Sequence, residues 1–110
     1  MFGILRRFFQ PPEIGRSGKW PRVRAEHLAR QPDCQACGKR GGDMEVHHCR
    51  PYAEHPELEL EPQNLLTLCA DPCHLVHGHL MNFRRHDPDV VVNCRNFRER
   101  LDTARRTCGH

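Results

Sequence analysis

Two cysteine pairs and a group of histidines carry the chemistry in this sequence. Cys34 and Cys37 stand as CxxC ahead of turn glycines, and Cys69 and Cys73 stand as CxxxC further along. Two local thiol pairs separated by about 30 residues are how tetrahedral zinc gathers ligands from two knuckles. Four thiolates fill that coordination sphere, so the ion would be structural, contributing folding free energy rather than reactivity. Reading these cysteines as four small buried hydrophobes leaves the paired spacing without a reason. Cys49, Cys94 and Cys108 have no partners at ligand spacing and read as free thiols.

The histidines need a separate account. His47 and His48 are adjacent in EVHHCRP, and His74, His77 and His79 follow the second Cys pair. Neighbouring side chains on a strand point to opposite faces. Folding around the zinc would bring the region after Cys73 against the strand bearing the pair, so one histidine could hold an ion while the other handles a proton. An imidazole with an ordinary pKa near 6.5 suits proton abstraction at neutral pH. Any one of these side chains alone would more often be a surface or hydrogen-bonded histidine. Five of them with Asn64 between, in 110 residues, argue for a site.

The elements that must position these groups are short. Residues 10–21 are rich in Pro and Gly and read as an irregular arm ending where Pro21 suits the first turn of a helix. Residues 22–31 form a short amphipathic helix, stopped by Pro32. The CQACGKRGG stretch is a tight knuckle whose glycines tolerate positive φ. Residues 43–52 read as a strand ended by Pro51. Residues 53–64, with Leu58 and Leu60 alternating with glutamates between Pro56 and Pro62, read as an extended loop or edge strand. The apolar stretch 65–83 places the second Cys pair at the entrance of a helix, and from Val90 a strand or turn leads into a helix beginning near Asn93.

A chain of 110 residues is one domain at most, and its apolar core alone would leave it marginal, which is a further reason to expect a metal staple. Arg6 and Arg7 interrupt the apolar start and no cleavage site follows, so no signal peptide is expected. No segment approaches the roughly 20 apolar residues of a membrane span. A reducing cytoplasmic setting is therefore expected, where paired cysteines bind metal rather than each other. The net charge of +3 is unevenly spread: residues 1–30 carry 7 Lys/Arg against 2 Asp/Glu, residues 31–83 carry 3 against 8, and residues 84–110 carry 7 against 4. Basic flanks around an acidic, metal-binding centre suit a polyanionic partner, although arginine-rich helix faces can simply be solvated.

Taken together, CxxC, EVHHxxP and NLLTLCxxxCH with a further His resemble the HNH endonucleases, the ββα-metal or His-Me finger nucleases, over roughly Trp20 to Phe83. The four cysteines are similar to the structural zinc site of the family's Cys-bearing branch. The resemblance implies an α+β, zinc-stapled ββα-metal fold with flanking helices, with residues 1–21 as a basic arm and 22–110 as the nuclease domain. It implies His48 as the general base, His47 and His74 as ligands of a catalytic divalent ion, and Asn64 orienting the base or helping to position the ion. Family members commonly read LCxxCHxxxH, but the position four after His74 is Gly78 here. Relatives with a CHxxxGH pattern put the last ligand at His79, aimed by a one-residue bulge; His77 is the i, i+3 alternative.

The activity implied is metal-dependent cleavage of DNA phosphodiester bonds, with Mg²⁺, Mn²⁺, Ni²⁺ or Zn²⁺ as the catalytic ion. Arg22, Arg24, Arg84 and Arg85, with the other arginines of both flanks, would contact phosphates, giving weak sequence preference and strong salt dependence. The expected assembly is a monomer or weak dimer, with no membrane partner. Two competing readings are a zinc-stapled nucleic-acid-binding module without cleavage and a redox or metal-handling protein using CxxC. The first leaves HH, Asn and CH at workable spacing for no purpose, and the second gives the histidines no role.

Overall fold

The computed structural model describes residues 17–108, with the side chain of Cys108 excluded. Most of the expected basic arm, including Arg6, Arg7 and Arg16, lies outside the described residues. Helix α1 (Trp20–Arg30) begins with Pro21 in its first turn, where the missing N–H costs nothing. Strands β1 (Met44–His48) and β2 (Leu65–Cys69) pair antiparallel, with Met44 opposite Cys69, His47 opposite Leu66 and His48 opposite Leu65. A single wide helical turn of π type, His74–Gly78, follows β2, and a long helix α2 (Val90–Cys108) closes the chain. The architecture is α+β, and β1, β2 and the His74–Gly78 turn run in ββα order.

The core is built around the cysteines. Cys34, Ala36, Leu66, Leu68, Cys69, Cys73, Val90 and Cys94 form one buried cluster, with Phe97, Met44, Cys37 and Cys49 packed on its margin. Every residue of β2 is buried, because α1 and the first knuckle cover it. Gln31, just past α1, ties the helix to β2: its side-chain oxygen accepts from Thr67 N at 2.8 Å and its carbonyl accepts from Thr67 Oγ1 at 2.7 Å. Gln35 N donates to Thr67 O at 3.0 Å. The first knuckle closes through Gly38 N to Cys34 O and Cys34 N to Lys39 O, both 2.9 Å, with Gly38 at φ +82° as that turn requires.

Three expectations about local structure need correction. Residues 53–64 are not an edge strand but a pair of tight turns, Pro56–Leu58 and Pro62–Asn64. Proline begins each turn, Glu61 caps the second through Gln63 N, and β2 already pairs with β1. The alternation read from the leucines also fails there, since it is Glu59 that is buried. The last helix begins at Val90 rather than near Asn93. The β-branched run of three valines suggests a strand, but Asp87 overrides it: its Oδ1 accepts from Asp89 N at 2.9 Å and its Oδ2 from Asn93 Nδ2 at 2.7 Å, organising the helix start. Strand β1 is shorter than the expected 43–52, ending at His48 as the chain enters the turns. Among the described residues no helix is long and apolar enough to cross a membrane.

Candidate functional site

The four paired cysteines converge. One ligand atom from each of Cys34, Cys37, Cys69 and Cys73 lies within 4.8 Å of the others. Cys37 Sγ and Cys69 Sγ are 4.0 Å apart, close to the about 3.8 Å expected between sulfurs held at about 2.3 Å around tetrahedral zinc. The set therefore fits a structural zinc ion. Burial pushes the Cys34 thiol up, but the N–H groups of Cys37, Cys69 and Ala36 together outweigh it and bring it down to about 7. Burial and neighbouring sulfurs raise Cys69 and Cys73. Crowding thiolates without a cation is unfavourable, and a bound zinc removes that penalty while displacing the protons.

Helix α2 seals this cluster. Val90 and Cys94 are buried in it and Phe97 packs on it, while Arg105 Nη1 donates to Cys37 O at 3.3 Å. Cys49 and Cys94 are free thiols, and burial pushes them up to about 11 and about 12.

A second convergence joins β1 to the His74–Gly78 turn. His47, His74 and His79 each offer a ring nitrogen within 4.8 Å of the others. The His47 ring is only 2% exposed, one edge lies against Gly78, and its buried Nε2 has no hydrogen-bond partner. A buried orphan nitrogen among neighbouring imidazoles is what a cation would satisfy. Burial, then the neighbouring His79 and His74, push His47 down to about 3, and burial with His79 pushes His74 down to about 4. Both are therefore held in the neutral form that a metal ligand requires.

The wide turn sends the two alternative histidines in different directions. His79 Nδ1 donates to Arg85 O at 2.7 Å, so in the neutral ring Nε2 carries the lone pair, and it faces His74 Nε2 at 3.2 Å. His77 instead stacks on α2, its ring centroid 4.7 Å from that of Phe97. The divalent-ion fit therefore favours His79 over His77, with a carbonyl behind it as metal-binding imidazoles usually have.

His48 points the other way from His47 yet shares its cleft. Its Nε2 donates to Glu59 O at 3.0 Å, which leaves Nδ1 as the acceptor nitrogen, and the Trp20 ring packs on it with centroids 4.6 Å apart. A cleft of about 540 Å³ is lined by His47, His48, His74 and His79 together with Trp20, Tyr52 and His86. Asn64 is not in the histidine cluster. Its Oδ1 accepts from Arg50 N at 2.8 Å and its Nδ2 donates to Arg50 O and Leu58 O at 3.2 Å, so it fastens the loop that presents Glu59 O.

Of the basic residues, Arg22, Arg84 and Arg85 are exposed. Arg24 is half-buried, with Nη2 donating to Met44 O at 3.0 Å. Sequence reasoning missed Trp20 and Glu59, and it noted Gly78 without its contact with His47. Glu59 matters twice, since its carboxylate also accepts from Ser17 N at 3.2 Å and so pins the approach to α1. No composition signal marks a residue that works through its carbonyl; the only hint was the pair of prolines bracketing it.

With this geometry in view, residues 34–79 match the family model described as HNH endonuclease. The segment is thus similar to an HNH module. It spans both cysteine pairs, the His47–His48 pair and the wide turn through His79. No curated protein and no solved structure matches the chain. The matched segment thus contains every ligand candidate of both convergences, while α1 and α2 lie outside it and brace it.

Proposed function

We propose that this protein is a metal-dependent DNA endonuclease whose HNH module hydrolyses phosphodiester bonds, with residues 22–110 as the nuclease domain behind a basic arm. The observation that carries this reading is the meeting of His47, His74 and His79 beside His48 in one cleft. In this mechanism His48 Nδ1 takes a proton from the attacking water. Glu59 O, holding Nε2–H, keeps the ring in the right tautomer and stabilises the imidazolium that forms. Trp20 limits rotation of the ring, and Asn64 keeps the loop carrying Glu59 in place. His47, His74 and His79 would hold a divalent ion, which when bound supplies charge stabilisation at the scissile phosphate and the leaving 3′ oxygen. Exposed Arg22, Arg84 and Arg85 would hold the flanking phosphates.

A ligand set of three imidazoles suits the softer divalent ions, and Asn64 is occupied elsewhere, so Mn²⁺ and Ni²⁺ should support more activity than Mg²⁺. The test is nicking of supercoiled plasmid by zinc-loaded protein across a panel of divalent metals, beside His48→Ala. The variant should keep its zinc and its melting profile and lose about 10²- to 10⁴-fold in rate. Near-normal cutting by His48→Ala, or a shifted but uncut plasmid with every metal, would overturn the reading.

A further inference from the structure

The most exposed large apolar side chains beside the histidine cluster are Met81 and Phe83, at 66% and 63% exposure. They stand on the chain leaving His79, where Leu80 and Met81 take φ of +52° and +72°, a left-handed conformation unusual for non-glycine residues. The loop is nonetheless tightly bonded. Met81 N donates to Leu75 O at 2.9 Å, Asn82 N to His79 O at 3.0 Å and Arg85 N to Asn82 O at 2.8 Å. Asn82 Oδ1 accepts from Arg84 N at 2.9 Å, and His79 Nδ1 donates to Arg85 O at 2.7 Å. Strained backbone held by this many bonds is a device for presenting a side chain.

The side chain presented is an aromatic ring against the candidate metal centre. The Phe83 centroid is 4.9 Å from that of His79 and 5.8 Å from that of His74. Arg84 and Arg85, both exposed, follow it directly. An apolar ring next to two cations matches the chemistry of stacked bases beside a phosphate chain, and neither a hydrophobic core nor a purely ionic contact calls for that pairing. From this geometry we infer that Phe83 is a wedge that inserts at the base step next to the scissile phosphate of duplex DNA, unstacking it, while Arg84 and Arg85 hold the phosphates beside it. Apolar wedges of this type kink duplexes by parting one base step. The kink would turn the phosphate toward His48 and the three-histidine cluster. Phe83 would then be a positioning residue, and distorted or mismatched DNA a favoured substrate.

The inference rests on the nuclease reading for where the cut falls, so its test has one arm that needs no cleavage. In the His48→Ala background, a duplex with 2-aminopurine at successive positions should brighten on binding, and should stay dark with His48→Ala/Phe83→Ala at equal saturation. Absence of brightening with Phe83 present overturns the wedge even if plasmid is nicked; brightening without any nicking by the wild type leaves the wedge and overturns the nuclease. The second arm compares position-resolved nicking of a paired duplex with the same duplex carrying one mismatch. Phe83→Ala should lose about tenfold or more at paired steps and recover to within about twofold of wild type at the mismatch, where unstacking is already done. Arg84→Ala, which loses only a phosphate contact, should weaken both substrates alike. If Phe83→Ala lowers both substrates equally, or lowers the melting temperature and zinc content, the ring merely covers the histidines or packs on another part of the chain, and the wedge is wrong.

Discussion

Gly78 lies directly against the His47 imidazole: a Cβ added there would stand 2.9 Å from both Cε1 and Nδ1 of that ring. The contact gives a physical reason for glycine at this position, since any larger residue would press on that ring. The wide turn brings backbone, rather than side chain, to the face of His47 and leaves His79, one residue on, as the candidate ligand.

Gly78→Ala should therefore displace the His47 ring without touching the sulfur cluster. Divalent-ion affinity of the zinc-loaded protein, measured calorimetrically with Mn²⁺, should fall by about 10- to 100-fold, the scale on which residues behind a ligand act. Zinc content should not change. Equal Mn²⁺ affinity in the variant would show that His47 can bind elsewhere.

His77 and His79, two residues apart, should respond oppositely. His79→Ala should lose divalent-ion binding, since its Nε2 faces His74 at 3.2 Å. His77→Ala should retain it and lose about 1 kcal/mol of stability, the scale of an aromatic pair, because the His77 ring packs on Phe97. Loss of Mn²⁺ binding in His77→Ala would reverse the assignment.

Removing zinc should cost far more. The sulfur cluster is the centre of the core and Val90, Cys94 and Phe97 of α2 rest on it. Cys37→Ala or a strong chelator should remove on the order of 10 kcal/mol and abolish the α2 helical signal in far-ultraviolet circular dichroism. A cooperative thermal transition surviving chelation would contradict a zinc-built core.

Acid should weaken the α1 contact through His27. That ring is buried and donates from Nε2 to Gln31 at 3.0 Å. Burial holds its pKa below the ordinary 6.5, against the opposing hydrogen bond and assisted by Arg30. The folded state thus binds this proton less readily than the unfolded chain. Stability from the neutral ring is complete above about pH 6.5 and falls as pH drops below it, by at most about 1.4 kcal/mol per unit. Urea unfolding at about pH 7 and about pH 5.5 should show a smaller loss for His27→Gln than for the wild type. Parallel losses would place the acid sensitivity elsewhere.

The chemistry was more legible in the sequence than the scaffold. Cysteine spacing marks the sulfur cluster because ligand geometry is local: each pair is one turn, and only the meeting of the turns is long-range. The His47–His48 pair was legible because strand alternation puts neighbours on opposite faces. What escaped depended on contacts that side-chain type does not encode. The tautomer of His48 is set by the carbonyl of Glu59, that of His79 by the carbonyl of Arg85, and the seat of His47 by a missing Cβ at Gly78. Val90–Val92 misled for a related reason, since valine preference for strands is weaker than the hydrogen bonds of Asp87 at the helix start.

The bonds from Gln31 and Gln35 to Thr67 have an effect beyond joining α1 to the sheet. Two strands leave two open rims, and a bare apolar rim recruits further strands from neighbouring chains. Here the amide and carbonyl of Thr67 on the outer side of β2 are both taken by glutamine-bearing segments. At its midpoint the most apolar strand of the protein thus offers no open amide or carbonyl to a further strand.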